Sequence, residues 1–326
     1  MTTPGKDWSR RAALGLIGGT LLLPAAAIGG GAARTLSGRA FGTDWRITAP
    51  PGVGIAQFAP ALDALFAGID AQLSPWRTDS AVSRFNAAPA GAATADPALT
   101  EVTAAALDIA RRSGGAFEPT IGPLVARWGF GPIARGGAPD WRALSVGPHG
   151  VTKSRGDLTL DPCGIAKGWA LDRAAELLRE AGMTDLLFDL GGEFVAVGQH
   201  PEARDWRVAV EAPIPGLPAP AALRLPTGTA VATSGTIAQS YVLGQRRYGH
   251  IIDPGTRAPA TGALRSVTVV ATDAMTADGW ATALFAAGDT AGPDIARTHD
   301  IDALFLFEDD GRLREMRSGA ISALIL

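Results

Sequence analysis

The sequence predicts an α+β fold, on three observations. Strand-like alternation and helical periodicity are mixed along the chain without the regular βα repetition that a doubly wound sheet requires. Hydrophobic residues are 47% and charged residues 19% of 326 positions, enough apolar surface for a large core and too much for a disordered chain. A single cysteine, Cys163, forbids an intrachain disulfide or a thiolate zinc cage, so the core alone must hold the fold. A formal net charge of −3 without a Lys/Arg cluster argues against nucleic acid as a partner.

Taken in order, residues 1–33 read as a targeting segment and 34–326 as one functional domain. Lys6, Arg10 and Arg11 precede an apolar run from Ala12 to Ile28, and small residues follow at Ala25-Ala26-Ala27 and Gly31-Ala32-Ala33. Ser9-Arg10-Arg11 with Leu14 resembles the twin-arginine export signal, which places the product in the periplasm. The alternative is an uncleaved N-terminal membrane anchor over Ala12–Ala33. Phe41, Thr43, Trp45 and Ile47 alternate with polar residues and predict a half-buried strand. Phe58, Leu62, Leu65, Phe66, Ile69 and Leu73 fall at helical spacing. Residues 86–100 read as a loop, and a helix is expected near 100–113.

Leu158 and Leu160 predict a short strand that runs into DPCGIAKG and then a helix through Ala170, Ala174, Leu177 and Leu178. Strands are expected at 186–190, 206–212, 266–271 and 303–308, with a Pro-rich connection over 213–222 and a helix over 275–287.

Three stretches carry chemistry. In MTADGWATALFAAG (275–288), Asp278 and Thr282 lie one helical turn apart, so their oxygens share a face and suit a hard cation such as Mg²⁺. Alone, Asp278 serves equally well as a first-turn carboxylate that complements the helix dipole. In LDPCGIAKGWALD (160–172), Gly164 permits close backbone approach and Lys167 opens a helix, a natural phosphate site. An ordinary strand–helix turn with a surface lysine explains the same residues. In YGHIIDP (248–254), His250 precedes an apolar pair; it is a base or a structural histidine, and Ser234, His250 and Asp253 form a possible triad without a Gly-x-Ser-x-Gly elbow. Gly191-Gly192 reads as a tight turn after the 186–190 strand.

Seven blocks then occur in order: SPWRTDSAVSRFN (74–86), GGAFEPTIGPLVARWGFGP (114–132), LDPCGIAKGWALDRAAELL (160–178), FDLGGEF (188–194), ATSGT (232–236), HIIDPGTRAP (250–259) and VTVVATDAMTADGWATALFAAG (267–288). Together they resemble the FAD:protein FMN transferase (ApbE) family over nearly all of Phe41–Gly288. The resemblance implies a T-fold-like arrangement of antiparallel sheets with packed helices. It also implies a Mg²⁺-dependent enzyme with FAD as substrate, which moves FMN onto a Ser/Thr hydroxyl of an acceptor protein and releases AMP. The acceptor expected is a membrane respiratory or electron-transfer subunit carrying a Ser/Thr flavinylation motif.

By position, the resemblance makes Asp278, Thr282 and the Gly164 carbonyl metal ligands. It makes Lys167 and Asp161 holders of FAD, sets Trp76 beside a ring, and lines the flavin site with Ala116, Phe117 and Glu118. Phe41 belongs to the same flavin pocket, Ile252 is a further FAD contact, and His250 matches the family's proposed base. Three positions depart from the family pattern: Phe41 stands where Met is usual, Glu118 where Asp is, and Thr236 where Asp is. Two other functions stay open at this stage, an FAD pyrophosphatase giving FMN and AMP, and a flavin-binding protein without turnover. Cys163 is expected to be packed.

Overall fold

The computed structural model describes residues 33–326 apart from 238 and 245. The targeting segment lies outside the described residues but for its last position. Eight strands form one antiparallel sheet in which spatial order follows chain order: Arg34–Ala40, Thr43–Ala49, Leu186–Leu190, Glu193–Val197, Thr229–Gly235, Leu264–Ala271, Asp302–Asp309 and Arg312–Ser318. The helices are inserted between these strands: α1 (Ala59–Leu73), α2 (Ala81–Ala87), α3 (Pro97–Arg112), α4 (Gly122–Arg127), α5 (Ala166–Glu180) and α6 (Ala274–Thr298). This is the α+β, antiparallel architecture that the mixed periodicities predict.

Period-two alternation gives the sheet two buried faces. In the strand Asp302–Asp309, Phe305 and Phe307 join the main core with Leu62, Phe66, Leu171, Phe188 and Leu284, on the helical side. Leu304 and Leu306 point the other way, into a smaller core with Trp206, Val208, Leu223 and Leu225. That second face is covered by a hairpin of Trp206–Val210 and Ala221–Leu225. A sheet covered on both sides needs hydrophobic residues at nearly every position, and this strand has them.

Several boundaries differ from the sequence expectation, each for a local reason. Phe41 is not in a strand: Phe41 and Gly42 have φ of 52° and 76° and form the two-residue turn between the first two strands. The loop after α2 is shorter than 86–100, because the Asp96 side chain accepts the Leu99 N–H at 2.9 Å and starts α3 with Pro97 in its first turn. Leu158 and Leu160 are buried but belong to no strand. Their backbone is held by side chains in place of a ladder: Asn86 bonds both Leu160 N and O, at 2.7 and 2.9 Å. Buried Lys153 donates to the Asn86, Gly156 and Leu158 carbonyls at 2.7 to 3.0 Å. Gly288 (φ 79°, ψ −163°) breaks the helical backbone of α6, where the sequence ends its helix at Ala287.

The start of α6 is pinned to α5. Asp172 accepts the Ala274 and Met275 N–H groups at 2.8 and 2.9 Å, and Asp273 accepts that of Thr276 at 2.7 Å. The contact is close at Gly168, where an added Cβ would sit 2.2 Å from the Ala274 carbonyl oxygen and 2.8 Å from Asp278 Cβ. Alanine in a helix gains about 1 kcal/mol over glycine in intrinsic propensity. A clash with backbone, which cannot rotate away, costs about 1–3 kcal/mol and wins. Gly168→Ala is therefore expected to lower the urea midpoint of unfolding, whereas a raised midpoint contradicts this packing.

Candidate active site

The loop from Asp161 to Ile165 carries the first part of the site. Asp161 is anchored by its N–H to the Pro119 carbonyl at 2.7 Å, and its carboxylate accepts the Cys163 N–H at 3.1 Å. The Ile165 and Ala166 N–H groups close back on Pro162, so the chain turns sharply into α5 and Lys167 falls in its first turn. Gly164 faces α6: its missing Cβ would be 3.0 Å from Thr282 Cγ2 and 3.3 Å from the Phe117 ring. Phe117, buried in the main core, thus backs the loop.

From α6 come Asp278 and Thr282. Asp278 is only 6% exposed and accepts the Gly168 N–H at 3.0 Å, so it bridges the two helices. The Thr282 hydroxyl lies 3.3 Å from Ser234 Oγ on the strand Thr229–Gly235. A third contributor comes from the sheet. The Gly191-Gly192 turn, fixed by Gly191 N–H on the Asp44 carbonyl and Gly192 N–H on the Asp189 carboxylate, presents Glu193 inward. Glu193 is 3% exposed; one carboxylate oxygen is 2.9 Å from Lys167 Nζ and the other has no hydrogen-bond donor.

Burial drives the Glu193 and Asp278 carboxyls above their ordinary range, and the charge of Asp278 pushes Glu193 further up. Adjacent buried carboxylates cannot both stay ionised without a proton or a cation between them. Burial pulls Lys167 down, but Glu193, Asp278 and Asp189 outweigh it and hold the ammonium charged. Among the described residues no three His, Cys, Asp or Glu side chains form a metal cage, so a cation here must also use the hydroxyl and carbonyl oxygens. The donors at hand are carboxylate, hydroxyl and backbone carbonyl, with one carboxylate oxygen unpartnered. That set fits a hard divalent ion such as Mg²⁺.

His250 follows the hairpin of Ser240–Leu243 and Arg246–Gly249. Its Nδ1 is 3.2 Å from the Gln239 carbonyl oxygen, and a carbonyl requires Nδ1 to be the donor. Nε2 is then a free acceptor, the form a base needs. Burial, together with the charge of Lys167, lowers this imidazole from its usual range despite the opposing Gln239 bond, and so favours the neutral form. Among the described residues no hydrogen bond links Ser234, His250 and Asp253: Ser234 pairs with Thr282, His250 Nδ1 with the Gln239 carbonyl, and Asp253 accepts the Gly255 N–H at 2.8 Å.

Asp161, Gly164, Lys167, Asp278 and Thr282 converge where the loop and the starts of α5 and α6 meet, with Phe117 behind them. Other expected residues stand apart from this cluster. Trp76 is 65% exposed on the loop between α1 and α2. Phe41 packs edge-on against Phe66 at 5.6 Å, on the hairpin turn beside the Gly191 loop. Ala116 precedes Phe117 on the same segment and is half-buried. Ile252 is buried in a two-residue strand paired with Ala258–Pro259. Both Glu118 oxygens are engaged within the protein, one by Thr120 at 2.6 and 2.9 Å and one by the Trp141 N–H at 3.2 Å. That engagement leaves the 116–118 segment its backbone and Phe117 to offer a ligand. Cys163 is exposed, not packed. Glu193 is the residue the sequence reading passed over, although its alternation with buried Val195 put it on an inward face.

Fold and cluster define an α+β protein in which two buried carboxylates and a threonine hydroxyl gather beside one lysine. The chain belongs to the ApbE family, whose sequence profile matches residues 41–305. It is 32% identical to the FAD:protein FMN transferase of Klebsiella pneumoniae (strain 342), covering 86% of this chain and 85% of that one. It is also 32% identical to the FAD:protein FMN transferase of Vibrio cholerae O395, over 89% of this chain and 92% of that one. Among solved structures, the flavin transferase ApbE from Vibrio cholerae superposes with a TM-score of 0.78 at 29% identity, covering 90% of this chain and all of that one. The apo Pseudomonas stutzeri flavinyl transferase ApbE gives 0.80 at 30% identity, covering 90% and 96%.

Proposed function

We propose that this protein is a Mg²⁺-dependent FAD:protein FMN transferase. The observation that carries the reading is the buried Asp278–Glu193 pair beside Lys167 and Thr282, in a chain whose relatives bear that activity in their names. In the reaction, a Ser or Thr hydroxyl oxygen of the acceptor bonds to the FMN-side phosphorus of FAD. The bond from that phosphorus to the bridging oxygen breaks, and AMP leaves with the electron pair.

His250 Nε2 takes the hydroxyl proton, because its neutral state and its Nδ1 anchor leave that nitrogen free. Lys167 opposes the negative charge on the diphosphate from the first turn of α5. Asp278, Thr282 and the Gly164 carbonyl would hold the cation, which supplies Lewis-acid neutralisation of the leaving diphosphate oxygens. Asp161 shapes the loop, Phe117 backs it, and Phe41, Trp76, Ala116, Glu118 and Ile252 belong to the surroundings of the FAD.

Residues 1–33 act, in this reading, as a twin-arginine signal that delivers the folded domain 34–326 to the periplasm, where a membrane electron-transfer subunit is the acceptor. No helix among the described residues is long and apolar enough to cross a membrane. Recovery of the protein only in the cytoplasmic fraction contradicts the export assignment. The activity is tested by incubating the protein with FAD, Mg²⁺ and candidate periplasmic acceptors, then measuring intact mass. One added FMN per acceptor with release of AMP is expected. Free FMN formed at the same rate without acceptor points to a pyrophosphatase, and intact bound FAD points to a carrier.

A further inference from the structure

Glu193 is given no step of its own in the chemistry just described, yet it is among the most deeply buried carboxylates of the described residues and holds the lysine that the chemistry needs. The Lys167–Glu193 contact is 2.9 Å, with Glu193 4% and Lys167 32% exposed in their side chains. Asp278 accepts the N–H of Gly168, the residue after Lys167, and its charge acts on the same lysine, so one ammonium serves two buried carboxyl groups. An ammonium in that position is already engaged by partners held in place by the sheet and by α6. A dinucleotide would have to compete with them for it.

We propose that Glu193 is a positioning residue that acts as a cation-operated latch on Lys167. Without a divalent cation, Glu193 and Asp278 hold the ammonium. A divalent cation at Asp278 replaces Lys167 as their countercharge and frees it for the FAD diphosphate. The geometry supports this exchange. Glu193 keeps one oxygen without a donor, so the pair has coordination capacity that Lys167 does not fill. Glu193 begins a central strand behind a two-glycine turn, so the carboxylate is fixed while the lysine side chain, on the open side, is able to swing. The consequence is ordered assembly: the site gains its full grip on FAD only after the metal is in place, and FAD is not held in a form that the enzyme cannot use.

The inference rests on the flavin-transfer reading, and FAD titrations followed by flavin fluorescence separate the two. Wild type, Lys167→Gln and Glu193→Gln are each titrated in Mg²⁺ and in EDTA, with circular dichroism confirming the fold. A charge-assisted contact of this kind is worth about tenfold in affinity. Lys167→Gln is expected to weaken FAD binding about tenfold in Mg²⁺ and less than about twofold in EDTA, where the lysine is captive in wild type. Glu193→Gln is expected to bind FAD more tightly than wild type in EDTA and to lose most of the enhancement by Mg²⁺. Equal losses for Lys167→Gln in both conditions overturn the latch even if Glu193→Gln does not fold. So does Glu193→Gln binding no tighter than wild type in EDTA. Wild type that binds no FAD in either condition overturns the flavin-transfer reading together with the latch.

Discussion

Asp278→Ala is expected to reduce FMN transfer by about 10³-fold or more. The reason is double. In the proposed reaction the carboxylate is the central ligand for the cation, and in the structure it accepts the Gly168 N–H that ties α5 to α6. Removing it leaves Lys167 to Glu193 and Asp189, so an internal ion pair replaces the proposed cation site. A structural effect alone is separable, because Asp278→Asn keeps an acceptor for Gly168 while removing the charge. Asp278→Asn should therefore unfold near the wild-type denaturant midpoint and still lack transfer. An Asn variant with wild-type rate would show that the charge is not used. The measurement is initial rate of acceptor mass gain at saturating Mg²⁺.

His250→Ala should cost about 10²- to 10⁴-fold in rate, the usual range for a general base, with little change in FAD affinity. The wild-type profile against pH should carry the signature of this group. Only neutral imidazole accepts the acceptor's proton, so the rate rises with pH as His250 deprotonates. Burial and Lys167 favour the neutral form, which sets the midpoint of that rise below the ordinary histidine range and makes the rate flat through pH 7 and above. In His250→Ala this limb should vanish. A limb that persists unchanged assigns the proton transfer to another group.

The fold was legible where one physical signal dominated. Helical spacing of Leu62, Phe66, Ile69 and Leu73 gave α1, and largely apolar stretches rich in β-branched and aromatic residues at 266–271 and 303–308 gave strands, which the structure buries on both faces. It was not legible where tertiary hydrogen bonds replaced local ones. Leu158 and Leu160 look like a strand because they alternate with a polar residue, but the Lys153 ammonium and Asn86, 74 positions from Leu160, satisfy their backbone. Phe41 continues an alternating pattern, yet the turn to its left-handed conformation is set by Gly42 and the pairing of the flanking strands.

In the site, the four-residue spacing of Asp278 and Thr282 was readable because both lie on one helix. Gly164 and Lys167 were readable because a glycine followed by a lysine at a helix start is a recognisable phosphate arrangement. Glu193 was not, since its meaning depends on a lysine 26 positions away and an aspartate on a third element, which only folding brings together. The bias of His250 toward its neutral form was likewise invisible, because it depends on burial and on the charge of Lys167.

The central claim is that a divalent cation and the FAD diphosphate share the junction of α5, α6 and the Asp161–Ile165 loop. The most direct measurement is a crystal grown with FAD and Mn²⁺, with anomalous scattering locating the metal. An anomalous peak bounded by Asp278, Thr282 and the Gly164 carbonyl, with the diphosphate against it and Lys167, is the predicted result. A peak or a diphosphate elsewhere on the protein, with that junction still closed by Lys167 and Glu193, would contradict it.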